Sequence, residues 1–138
     1  MNEYKLKHME MIQGIITRMN SNSFQIKNWA ITLVSALMAL YGSTNNSKFV
    51  FVALLPIVIF WLLDAYYLQQ ERKYRGLFND VAGLTTPTSE VPNFSMKTKS
   101  YSGGEYCFFS SLFSITLVKT YLLMIILVGV VYKITSGN

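Results

Sequence analysis

Twenty consecutive residues, Phe49–Leu68, contain a single charged side chain, Asp64. A helix of that length extends about 30 Å, the thickness of a bilayer's hydrocarbon core. A helix on the surface of a soluble domain shows an apolar stripe with a polar face opposite. This run is apolar on every side. Two further apolar blocks accompany it, Trp29–Tyr41 and Phe108–Tyr132, the latter broken only by Lys119. With its flanks the first becomes a candidate span over residues 24–42. The second becomes one over 110–132, with Lys119 inside it. The chain therefore reads as an all-α integral membrane protein, one unit of 138 residues. Charged residues make up 14% of it, against about 25% in an ordinary soluble domain.

Residues 4–19 predict an amphipathic helix. Leu6, Met9, Ile12, Ile16 and Met19 recur at spacings of three and four, the signature of one helical face. Such a stripe suits a membrane surface or a partner helix, and the mixture of acidic and basic residues around it favours protein. Asn20–Ser23 predicts a break that offers capping side chains to the next helix. Gly42–Ser47 predicts a short polar turn, so the 24–42 and 49–68 spans form a hairpin. No breaker follows Leu68, and Leu77, Phe78 and Val81 carry an apolar face onward. The second helix is thus expected to leave the membrane and continue to about residue 82. Residues 84–106, with Pro87, Pro92, Gly103 and Gly104, read as an irregular cytoplasmic loop.

Charge sets the expected orientation. Lys5, Lys7, Arg18, Lys27, Arg72, Lys73, Arg75, Lys97 and Lys99 fall on one side of three spans, and only Lys48 and Lys133 on the other. The positive-inside rule places the N-terminus and the central segment in the cytoplasm and the C-terminus outside. The first 20 residues lack the apolar region and cleavage site of a signal peptide. The net charge of +5 forms no continuous basic stripe, so nucleic acid is not expected as the primary ligand.

No catalytic pattern is legible. The lone histidine, His8, reads as a solvated side chain on the polar side of the first helix. The lone cysteine, Cys107, reads as a small residue at a helix start. No metal site, phosphate loop or cofactor motif is expected. Two residues stand out because a bilayer makes them costly. Asp64 lies about four residues inside the second span, and Lys119 lies inside the third. An ionised group there costs several kcal/mol unless it snorkels, pairs or faces water. Asp64 has two candidate partners, Lys119 and Lys27. Either pair would fix helix register, and either residue could instead line a water-filled path between subunits. Three short helices cannot enclose a pore, so a conducting path requires an oligomer.

The stretch Lys7–Gln13, then Ile16–Met19 and Asn22–Trp29, resembles a widespread group of small bacterial membrane proteins. So does Phe60–Leu68 with Glu71-Arg72 after it, the Asp-Ala-Tyr-Tyr-Leu run being the most specific element. The layout over about residues 6–80 is similar to that of SLATT-type effectors of bacterial antiphage systems, from which this chain departs by a third span. The resemblance implies an inner-membrane effector that forms oligomeric, membrane-permeabilising pores when a cytoplasmic partner protein or nucleotide signal triggers it. It marks Lys27, Trp29, Asp64, Tyr66 and Arg72 as positions of interest. The alternative is a membrane-anchored adaptor whose 4–19 helix docks a cytoplasmic partner. A small transporter is a weaker possibility, because inverted repeats are missing.

Overall fold

A computed structural model describes residues 2–87 and 90–137. Among these the chain is all-helical, with no strand. It has four α-helices: α1 Glu3–Thr44, α2 Lys48–Ala82, α3 Phe108–Leu112 and α4 Ile115–Ser136. One 3-10 turn, Gly104–Tyr106, precedes α3.

The break expected at Asn20–Ser23 does not occur. Helix α1 is continuous over 42 residues, on the order of 60 Å. Asn and Ser are weak helix formers, but neither breaks a helix as Pro or Gly does. Tertiary packing supports them instead. Ile16, Ser23 and Ala30 recur every seven residues and are all buried, so the seam facing α2 runs unbroken through the polar segment. Ser23 spends its hydroxyl on a neighbour in α2 rather than on a cap. Asn2 caps the start of α1, accepting from the Tyr4 amide. Asn45 ends it in the left-handed region, at φ 51°, where asparagine is among the better tolerated residues.

Residues 45–47 turn the chain into α2. This helix runs through Pro56 and stops at Gly83, whose φ of 77° closes the C-cap. α1 and α2 are therefore antiparallel partners over most of their length.

Two apolar clusters hold the molecule together. One joins Ala30, Val34, Met38 and Tyr41 of α1 to Ala53, Ile57 and Ala65 of α2 and to Leu117, Tyr121, Met124 and Val128 of α4. The other joins Ile12 and Ile16 to Leu77 and Val81, with Val91, Met96 and Tyr101 of the connecting segment against them. The centre of the 4–19 stripe is thus consumed inside the chain. Ile12 is fully buried and Ile16 nearly so, Met9 and Met19 are half-buried, and Leu6 stays exposed.

The apolar block expected to span over 110–132 is split. α3 ends at Leu112 and α4 starts at Ile115. Ser114 between them is extended and its hydroxyl accepts from the Leu117 amide. Hydropathy is continuous across this joint, and the cap that divides it is invisible to hydropathy. The result is a 22-residue helix, about 33 Å long, that contains Lys119 near its start.

Among the described residues two helices, α2 and α4, are long and apolar enough to cross a membrane. The 24–42 part of α1, which carries Gln25, Lys27 and Asn28, does not meet that standard.

Candidate functional site

Between the two apolar clusters lies a polar layer centred on Asp64. This residue sits on the inner face of α2, next to Ala65, and is fully buried. Ser23 and Lys27 reach it from α1, where a spacing of four puts both on one face. Tyr121 reaches it from α4, so the layer ties three helices together.

Lys27 Nζ lies 2.6 Å from Asp64 Oδ2 and donates to Ser23 Oγ at 2.8 Å. The Ser23 hydroxyl in turn donates to Asp64 Oδ1. The Tyr121 hydroxyl stands 3.1 Å from Asp64 Oδ2 and 3.1 Å from the Phe60 carbonyl, so these two acceptors share its single proton. Trp61 stacks on the Tyr121 ring, with centroids 6.0 Å apart and planes 15° apart. Its indole N–H donates to the Leu112 carbonyl at 3.0 Å. Tyr121 is thereby held from both its polar tip and its ring.

Burying two opposite charges removes hydration worth several kcal/mol for each ion. The arrangement is tolerable because each carboxylate oxygen has a donor and the ammonium has two acceptors. No buried polar side-chain atom among the described residues lacks a hydrogen-bond partner. With no exposed surface, the Asp64 carboxylate has no face on which to take a substrate. Its chemistry is that of an electrostatic clamp.

Of the two partners open to Asp64, the structure selects Lys27. Lys119 is exposed on the outer side of α4 and forms no ion pair among the described residues. The other members of the cluster are Ser23, which the sequence suggests as a capping residue in a break, and Tyr121, which no sequence motif marks. Ser23 carried one signal, its position four residues before Lys27. Tyr121 carried only the cost of a phenol in the middle of an apolar helix.

The other marked positions lie apart. Trp29 and Tyr66 are exposed, at 61% and 50%. Arg72 donates to the Glu105 carbonyl at 3.0 Å and to Ser110 Oγ at 3.2 Å, so it fastens the segment leading into α3. Gln69 does the same, donating to the Tyr106 carbonyl. Cys107 is half-buried and precedes α3 as its N-cap residue.

His8 is not the solvated side chain its surroundings in sequence suggested. It is 98% buried, with 2% exposed, and its Nε2 lies 2.9 Å from the Ser95 carbonyl. The returning segment covers it, and Phe94 packs beside its ring. Periodicity along one helix cannot register a cover supplied from residues 90–106.

That cover has its own polar anchor. The Asp80 carboxylate accepts from the Tyr101 hydroxyl at 2.5 Å and from the Thr85 hydroxyl. Burial, and then the hydrogen bond to Asp80, push the Tyr101 phenol well above the usual tyrosine range. Burial raises Tyr106 as well, with the Glu105 carboxylate adding to it. Both rings crowd Gly76, where an added Cβ would stand 2.6 Å from Tyr106 Oη and 2.9 Å from Tyr101 Cδ1.

No group of three or more metal-ligating side chains occurs among the described residues. No family, curated protein or solved structure matches the chain.

Proposed function

We propose that the chain is a multi-pass protein of the bacterial inner membrane that acts as an effector. On a cytoplasmic trigger, copies associate and breach the permeability barrier, in the manner of antiphage effectors. The N-terminus and residues 69–107 would face the cytoplasm and the C-terminus the outside.

The observation that carries this is where the apolar surface lies. Only 22% of the apolar window in each of α2 and α4 is buried. Phe51, Leu55, Leu122, Leu123 and Ile126 are all more than half exposed. The core helix of a soluble protein hides such residues, whereas here they form faces that need lipid or another copy to cover them. The Lys27–Asp64 pair supports a third crossing by α1, because it neutralises a charge that would otherwise keep 24–42 at the membrane edge. Asp64 then acts as a register clamp, and any conducting path forms between copies, along the outer faces of α2 and α4.

An adaptor role would need the Ile12–Ile16 face for a partner. That face is already committed to Leu77 and Val81, which favours the effector. The resemblance of the layout to that of SLATT-type proteins points the same way.

The test is expression of the full chain with and without its trigger in cells carrying a voltage-sensitive dye. Triggered cells should depolarise. A normal potential and normal growth, with the protein abundant in the membrane fraction, would overturn the effector role. Recovery of a folded monomer from detergent-free supernatant would overturn the membrane placement.

A further inference from the structure

We infer that Lys119 is a docking point for an anionic phospholipid of the cytoplasmic leaflet, held through the lipid's phosphate group. The inference rests on the membrane placement above. Lys119 lies one turn inside α4, on its outer face, and has no ion-pair partner among the described residues. Of the exposed neighbours along that face, Ile115 at 72% and Leu123 at 56% are apolar, and Thr116 is polar. A helical side chain leans toward its helix's N-terminus, so the lysine stem runs back toward the level of Ile115. Its apolar stem stays in hydrocarbon while the ammonium arrives at headgroup depth. From the start of α4 the depth of the Lys119 backbone is about 6 Å, within reach of a side chain of that length.

A phosphate is favoured over a carboxylate of a second copy for a reason of inventory. The chain has seven acidic residues. Only Asp64 lies within residues 24–44, 48–68 or 115–136, and it is fully buried against Lys27. Another copy therefore offers Lys119 no free carboxylate within those ranges, and the exposed Glu105 just before α3 is the second-copy alternative that the oligomer measurement tests. Anionic headgroups lie at that depth in the cytoplasmic leaflet, and a basic residue near such a surface gains attraction from it.

The test uses the full chain in detergent micelles titrated with phosphatidylglycerol or phosphatidylcholine, with retained lipids counted by native mass spectrometry. The wild type should retain the anionic lipid about fivefold better. Lys119→Met should lose that preference, Lys119→Arg should keep it, and Lys133→Met should leave it unchanged. Equal retention of the two lipids by the wild type would overturn the proposal, as would an undiminished preference in Lys119→Met. Inorganic phosphate at equal concentration should not displace the lipid, and displacement would mean that a free anion is the ligand. If Lys119→Met instead converts an oligomer to a monomer in phosphatidylcholine alone, a second copy is the partner and the lipid assignment fails. Carbonate extraction of cell membranes is the separate control. Release of the wild type by carbonate would refute the membrane placement itself.

Discussion

Lys27 of α1 and Asp64 of α2 meet at 2.6 Å in a layer where the carboxylate has no exposed surface. Tyr121 closes the layer from α4. A pair buried this way is costly to halve. Lys27→Met or Asp64→Ala should each destabilise the fold by about 3–5 kcal/mol, read from unfolding in a mixed-micelle denaturant series. Lys27→Met combined with Asp64→Leu should recover much of the loss, because no unpaired charge remains. Simple addition of the two single losses would show that the residues do not act as a unit.

Ser21 is exposed in the middle of α1, so a substitution there probes the backbone alone. Ser21→Pro removes an amide donor and should cost about 3 kcal/mol or more. Ser21→Ala should be neutral or slightly stabilising. Amide exchange over residues 17–25 is the direct check. Fast exchange there in the wild type would mean two helices joined by a loop, rather than one.

At Gly76 the rings of Tyr101 and Tyr106 lie against α2 where a side chain would stand. Gly76→Ala would force Tyr101 and Tyr106 away. Proteolysis within 84–106 should accelerate severalfold, while the α1–α2–α4 cluster around Asp64 stays protected. An unchanged cleavage rate would mean that the two rings are not seated on Gly76.

Tyr101 supplies a pH dependence at that same contact. Its phenol is raised by burial and by Asp80, so the neutral form is the one the fold favours. Its contribution to docking is complete below about pH 10, the unfolded value, and is lost as pH rises through the higher folded value. Tyrosine absorbance should show late-titrating phenols, and Tyr101→Phe should reduce their number by one.

Loss of the Ile12 side chain separates packing from partner docking. Ile12→Ala should cost about 2–5 kcal/mol in the isolated protein, with no partner present, because Ile12 is fully buried against the α2 cluster. A loss of activity without loss of stability would return this face to the adaptor role.

Several of these features are legible in the sequence. Helical character, the unbroken run beyond Leu68 and the stop at Gly83 follow from apolar spacing and from the placement of glycine and proline. The cost of Asp64 also follows from its position among apolar residues. The sequence by itself determined that this carboxylate needs a partner, because depth along a helix scales with residue number. It could not choose between Lys27 and Lys119, which lie at comparable depths. That choice depends on which faces of α1 and α4 turn toward α2, and only the tertiary structure decided it. The same holds for the continuity of α1 through Asn20–Ser23 and for the cover over His8. Local propensity is worth tenths of a kcal/mol per residue, and packing from distant parts of the chain outweighs it.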